Sequence, residues 1–273
     1  MSLTTGFAFA RRSIAAVRQL QDGSDTRNER RNRSQKRNHM IEAEWWDYDS
    51  LDELAGAVSG DVGFIIQSAV DARDSSLVAI PGGRTGPAVY HKLAKQQLPW
   101  KKVTIIPTDD RLVPVDSELS NVRELARSFL PLGARVVPLT SESADDYVMA
   151  GSAADARLKD LSWPPDLVWL GMGSDGHTAS IFPGPDLAAA LDAPKARRAI
   201  GVLPDPLPAE AEVARVTLTR AAILSARTVM ITITGKEKRE LLEQAIADGH
   251  SSRLPIGRVL AEAEQPIDIH WCP

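Results

Sequence analysis

From Trp45 onward, short apolar runs alternate with amphipathic stretches along almost the whole chain. Leu77–Ile80, Val103–Pro107, Leu167–Leu170 and Val229–Thr234 are too short for core helices, and their apolar texture predicts buried strands. Trp45–Tyr48, Val136–Val137, Ile200–Leu203, Arg215–Thr219 and Ile267–His270 supply shorter candidates. Between them the helical spacing recurs. Asp49 or Ser50 caps a pattern carrying Leu51, Leu54, Ala55 and Val58, and a second stretch, Val62–Ala72, puts Ile65, Ile66, Ala69 and Val70 on one face. Further helices are expected over Ala88–Gln96, Leu119–Leu130, Asp145–Leu161 and Arg239–Ala247. Strands that are apolar throughout and alternate with helices imply an α/β fold: an open, mostly parallel sheet with helices on both faces. No internal repeat or Pro/Gly/Ser linker interrupts this pattern, which predicts one domain over residues 40–273.

Composition narrows the setting. With 273 residues, 43% of them hydrophobic, the chain can bury a substantial core. Cys272 is the single cysteine, so neither an intramolecular disulfide nor a cysteine metal cluster is available, which suits a reducing cytoplasm. No apolar run approaches the roughly 18 residues that span a bilayer, and no membrane association is expected. Charge is uneven. Residues 1–39 hold nine Arg and Lys against three Asp and Glu, so this segment carries +6 and the remainder −10. Such an arm suits nucleic acid, an organelle presequence or a solvated extension. Thr26–His39 has no apolar periodicity, which favours a poorly ordered extension, with Met40 as the natural start. No helix-turn-helix pattern is legible there, so a nucleic-acid partner is not expected.

Candidate chemistry gathers where strands end. The Leu167–Leu170 run stops at Gly171, and Gly173, Ser174, Asp175, Gly176 and His177 follow at once. Glycines let backbone N–H groups approach a ligand, while Asp175 and His177 bring an acid and a base together. G-x-G-x-x-G also suggests a dinucleotide fingerprint, but Pro183, Gly184 and Pro185 leave no useful helix after the third glycine. A nucleophile elbow fails because Met172 stands where G-x-S-x-G needs glycine. Leu77–Ile80 breaks at PGGRTGP, a turn that aims free N–H groups and a helix N-terminus at an anion, phosphate above all, unless it is plain loop punctuation. It is not a Walker A loop. Val103–Pro107 ends in Thr108, Asp109, Asp110 and Arg111, and Ser120 and Asn121 read as helix caps or as site residues. Val229–Thr234 closes in Gly235, Lys236, Glu237 and Lys238, whose lysines oppose the dipole of a following helix and point to an anion contact.

Taken together, GGRTGPAVY, TDDRLVPVDSELSN, DLVWLGMGSDGHTASIFPG, RVTLT and TGKEK resemble, in this order, the 6-phosphogluconolactonase family across nearly all of residues 45–270. Related sugar-phosphate deaminases share a GG-x-T turn and DGH but continue toward Phe-Asn-Glu-Pro, where this chain has Ala179 to Gly184. The resemblance implies a Rossmann-like sheet of the sugar-phosphate isomerase/lactonase type. It also implies hydrolysis of 6-phospho-D-glucono-1,5-lactone without metal or cofactor, by a monomer or homodimer whose partner is the phosphorylated sugar lactone. His177 matches the family's general base and Asp175 its partner; Gly82, Gly83, Thr85, Arg111, Lys238, Asn121 and Gly173 match groups that hold the substrate and its phosphate. Arg84 and Gly86 stand where the family usually has Ser and Pro, and Asp110 replaces the Glu of Asp-Glu-Arg, a shortening expected to shift Arg111 or reshape the sugar pocket. An isomerase or deaminase, and a non-catalytic sugar-phosphate sensor, are the rival readings.

Overall fold

Burial alternates residue by residue along the central strands, and each strand therefore contributes to two cores. In the strand Ser76–Ile80, Leu77 and Ala79 join one cluster and Val78 and Ile80 the other; in Leu167–Leu170, Val168 and Leu170 oppose Leu167 and Trp169 in the same way. Every residue of both strands is buried. Only a sheet covered by helices on both faces satisfies that pattern. Each fully buried Leu, Ile or Val contributes about 1.5–3 kcal/mol through removal from water.

The computed structural model describes residues 41–140 and 146–273. The expectations for residues 1–39, for Met40 and for Asp145 fall outside these residues. In chain order the elements are β1 (Ala43–Asp47), α1 (Leu51–Arg73), β2 (Ser76–Ile80), α2 (Gly86–Leu93), β3 (Val103–Pro107), β4 (Asp109–Arg111), α3 (Asn121–Phe129), β5 (Arg135–Val136), α4 (Tyr147–Lys159) and β6 (Leu167–Leu170). They continue with α5 (Leu187–Leu191), β7 (Ala199–Val202), β8 (Arg215–Leu218), α6 (Arg220–Leu224), β9 (Thr228–Thr234), α7 (Lys236–Asp248), α8 (Pro255–Leu260) and β10 (Ile267–Cys272).

Seven strands form one sheet in the order β1-β10-β9-β6-β2-β3-β5, and all its pairings are parallel. From β2 the chain moves outward through β3 to β5, then returns to place β6 on the other side of β2. The switch point lies between β2 and β6, where open parallel sheets leave a crevice at their carboxyl edge. β9, β6, β2 and β3 are consecutive neighbours, so the four segments singled out in the sequence leave the same edge.

The expected α/β architecture stands, with three corrections. Leu51–Arg73 is one 23-residue helix rather than two stretches, because Leu54, Val58, Val62, Ile66 and Val70 carry one buried stripe past Gly60. Its N-cap Ser50 accepts from Glu53 N at 3.2 Å. α7 starts at Lys236, not Arg239, since Gly235 at φ +91° ends the strand and leaves the helix free to begin immediately. Finally, the expected strands near Ile200–Leu203 and Arg215–Thr219 form β7 and β8, but they pair with the unexpected β4 in a second, antiparallel sheet. It begins one residue beyond β3.

Candidate active site

The Gly171–His177 turn following β6 is folded around its glycines. Gly173 N donates to His177 O at 2.9 Å and Gly176 N to Gly173 O at 3.1 Å. Gly176 lies at φ +75°, where an added Cβ would also stand 2.7 Å from Leu254 Cβ. Above Gly173 the clearance is smaller still: a Cβ there would fall 2.2 Å from His177 Cε1 and 2.3 Å from Nδ1. The imidazole therefore occupies the space that a side chain at position 173 would fill.

Asp175 fixes that imidazole. Its Oδ1 meets His177 Nδ1 at 2.5 Å and accepts from His177 N at 3.1 Å. Partial burial pushes the Asp175 carboxyl up, but the contacts with His177 outweigh it and hold the group below its ordinary value. An ionised carboxylate is an acceptor only, so a proton on Nδ1 completes the pair, and Nε2 lies on the other side of the ring, outside it. The Phe182 ring stacks on His177 with centroids 4.2 Å apart at 29°. The side chain of His177 stays a quarter exposed, within reach of water. A histidine paired with a carboxylate in this way can serve as a general base.

Beside it, the turn after β2 packs on the segment after β3. A Cβ on Gly82 would stand 2.0 Å from Asn121 Oδ1, and Gly83 takes φ +86°. Asn121 in turn accepts from Arg111 Nη1 at 2.5 Å and donates through Nδ2 to Asp109 O at 2.8 Å. Ser120, not Asn121, is the cap of α3, accepting from Arg123 N. Asn121 is thereby freed for the site. Thr85 precedes α2 and makes no capping hydrogen bond with its side chain.

Asp110 holds this corner. Its carboxylate accepts from Asn121 N at 2.6 Å, Arg111 N at 2.9 Å, and Val122 N and Ser120 Oγ at 3.1 Å each. Burial raises its pKa to about 6, although the backbone donors pull the other way. The shorter acid thus reaches the first turn of α3 directly. Its neighbour Asp109 points elsewhere, accepting from Ser180 Oγ at 2.6 Å.

Lys238, in the first turn of α7, donates through Nζ to Met172 O at 2.5 Å and so reaches the β6 turn. Burial and then the positive charge of Arg84 lower its pKa, with Asp175 opposing. The structure accordingly joins Gly82, Asn121 and Arg111 in one chain of contacts and Gly173, Asp175, His177 and Lys238 in another. Gly83 and Thr85 belong to the turn that carries Gly82.

Sequence reading assigned no role to Arg215 or Phe182. Arg215 is 3% exposed on β8, directly opposite Arg111 in the β4–β8 register, and its guanidinium lies 5.1 Å from the centroid of Phe182. Both residues belong to motifs already singled out, RVTLT and SIFPG, but nothing local distinguishes them from a strand position and a core aromatic.

Known proteins share this sequence pattern and fold. The family described as Glucosamine-6-phosphate isomerases/6-phosphogluconolactonase matches residues 49–271. A 6-phosphogluconolactonase of Rhizobium meliloti is 37% identical over 233 residues, 83% of this chain and 97% of that protein. One from Pseudomonas putida is 36% identical over 224 residues, 81% and 89% of the two chains. Among solved structures, a 6-phosphogluconolactonase from Shewanella baltica aligns with TM-score 0.79 at 28% identity, covering 86% of this chain and 99% of that one. The Trypanosoma cruzi 6-phosphogluconolactonase aligns with TM-score 0.73 at 27% identity, covering 87% and 97%. This chain belongs to the glucosamine-6-phosphate isomerase/6-phosphogluconolactonase family.

Proposed function

We propose that this protein hydrolyses 6-phospho-D-glucono-1,5-lactone to 6-phospho-D-gluconate, with His177 as general base, Asp175 as its orienting partner and no metal in the mechanism. The observation that carries the reading is the Asp175–His177 pair at 2.5 Å on a glycine turn at the sheet's switch point. A δ-lactone is an activated ester, so a water deprotonated by one imidazole suffices as nucleophile. His177 Nε2 takes a proton from water as the oxygen bonds to the lactone carbonyl carbon. The carbonyl–ring-oxygen bond of the resulting intermediate then breaks, and the proton passes from His177 to the departing ring oxygen. The product is the open-chain acid, which releases one proton to solvent.

Phosphate binding, in this reading, falls to Gly83 and Thr85 in the β2 turn, to Arg111 and to Lys238, with Gly82 and Asn121 setting the position of Arg111. A bound remote phosphate orients the carbonyl against His177. Residues 40–273 carry every group named, and we propose that they act as one domain. A cytoplasmic location fits this substrate, and no helix among the described residues is long and apolar enough to cross a membrane. The test is acid release at neutral pH from freshly prepared 6-phosphoglucono-δ-lactone, corrected for spontaneous hydrolysis. Enzyme-dependent release supports the reading, and its absence in folded protein excludes it.

A further inference from the structure

Two arginines face each other across the β4–β8 pair. Arg111 and Arg215 are directly opposed in an antiparallel register, where like charges destabilise a sheet. Arg215 is 3% exposed, and the Nε atoms of both arginines are buried without a hydrogen-bond partner. What the guanidiniums do contact is neutral: Asn121 Oδ1 for Arg111, and Ala211 O at 3.3 Å together with the Phe182 ring for Arg215. Asp109, Glu210 and Asp175 lie within electrostatic reach of Arg215, and Arg111 opposes them. Among the described residues no carboxylate forms an ion pair with either guanidinium. Unfilled buried donors on two opposed cations are costly unless a strong acceptor enters between them.

We infer that Arg215 pairs with Arg111 as a double-guanidinium receptor for the phosphate dianion of the substrate. The inference rests on the lactonase reading and adds to it a residue for which that reading had no role. A dianion with three terminal oxygens matches two planar forks, each presenting parallel N–H donors. Arg215 also ties recognition to the reacting end of the site. Its guanidinium stacks over Phe182 at 5.1 Å, and Phe182 stacks on His177 at 4.2 Å, so the receptor and the base share one wall. A phosphate held by Arg215 is thereby kept at a fixed distance from the imidazole.

Binding of inorganic phosphate to the full chain tests this, by titration calorimetry and by the phosphate dependence of Tm, for wild type, Arg215→Gln and Arg215→Lys. Wild type should bind phosphate and gain Tm. Arg215→Gln should bind at least about tenfold more weakly, the usual effect of deleting one member of a buried charge pair. Without phosphate it should keep its Tm within a few degrees, because a repulsion is relieved as contacts are lost. Arg215→Lys, which keeps the charge but not the fork, should lose about threefold or more. Should Arg215→Gln fail to fold, the lysine variant decides. Phosphate affinity equal to wild type in a folded variant, or no phosphate binding by wild type, would overturn the receptor. Failure of the lactonase reading looks different: wild type would bind phosphate in an Arg215-dependent way yet release no acid from the lactone.

Discussion

Gly173 gives the sharpest handle on the base. Its own backbone is not in the left-handed region, so alanine is sterically allowed there except for its neighbours. Those neighbours are the site itself: the new Cβ would lie 2.2 Å from His177 Cε1, 2.3 Å from Nδ1 and 2.7 Å from Asp175 Oδ1. Carbon atoms at rest stand about 3.5 Å apart or more, so the imidazole must retreat by roughly 1.3 Å. That displacement breaks the 2.5 Å contact with Asp175 or carries both side chains away from the substrate. Misplacement on this scale costs about 10²-fold in rate, or about 2.7 kcal/mol of transition-state stabilisation. Gly173→Ala should therefore lower kcat in the acid-release assay by about that factor. Its Tm should change little, because the displaced ring is partly exposed and contributes little to the core. Gly171→Ala is the control, since nothing lies within 4 Å of a Cβ there. Near wild-type kcat for Gly173→Ala, or an equal loss in Gly171→Ala, would refute the argument that the glycine backbone seats the base.

Arg111→Ala and Lys238→Ala should each weaken kcat/KM for the phosphorylated lactone by about 2–4 kcal/mol and hardly alter hydrolysis of glucono-δ-lactone; equal losses on the two substrates would assign these side chains to the fold or the chemistry. Burial lifts Asp110 from 3.8 to about 6, so between these pH values the folded chain keeps a proton that the unfolded chain has released. The stability this group contributes is full below about pH 4 and is lost by about pH 6, a change of up to about 3 kcal/mol that Asp110→Asn should remove. Urea unfolding at pH 4 and pH 7 measures it, and identical pH dependence in the two proteins would contradict it. A chain starting at Met40 should retain full lactonase activity, because all proposed site residues lie beyond it; a folded but inactive truncation would give residues 1–39 a part in the site.

Much of the candidate site was legible because its residues are local in sequence. The Gly171–His177 turn announces itself by an apolar run that stops at a cluster of glycines beside an acid and a base, and the structure places Asp175 and His177 in contact. Lysine at the start of a helix conflicts with the dipole; Lys238 reaches the neutral Met172 O, and the anion contact expected of it belongs to the proposed function. The opposed arginines were not legible. Asp109–Arg111 is too short and too charged to read as a strand, and its partner Arg215 lies about a hundred residues away. Register between such segments follows from tertiary packing rather than periodicity. Ser120 and Asn121 show the limit within one dipeptide: both are good caps by type, and only the contact with Arg111 separates the cap from the site residue. Asp110 shows another, since its reach to Ser120 Oγ, Asn121 N and Val122 N depends on where α3 docks.

The central claim is that His177, held by Asp175, activates water against a phosphorylated lactone. Acid release from fresh 6-phosphoglucono-δ-lactone by His177→Asn, alongside wild type at the same pH and with circular dichroism to confirm the fold, tests it most directly. Loss of about 10²–10⁴-fold in kcat with an intact fold is the predicted result. Unchanged turnover would remove His177 from the mechanism.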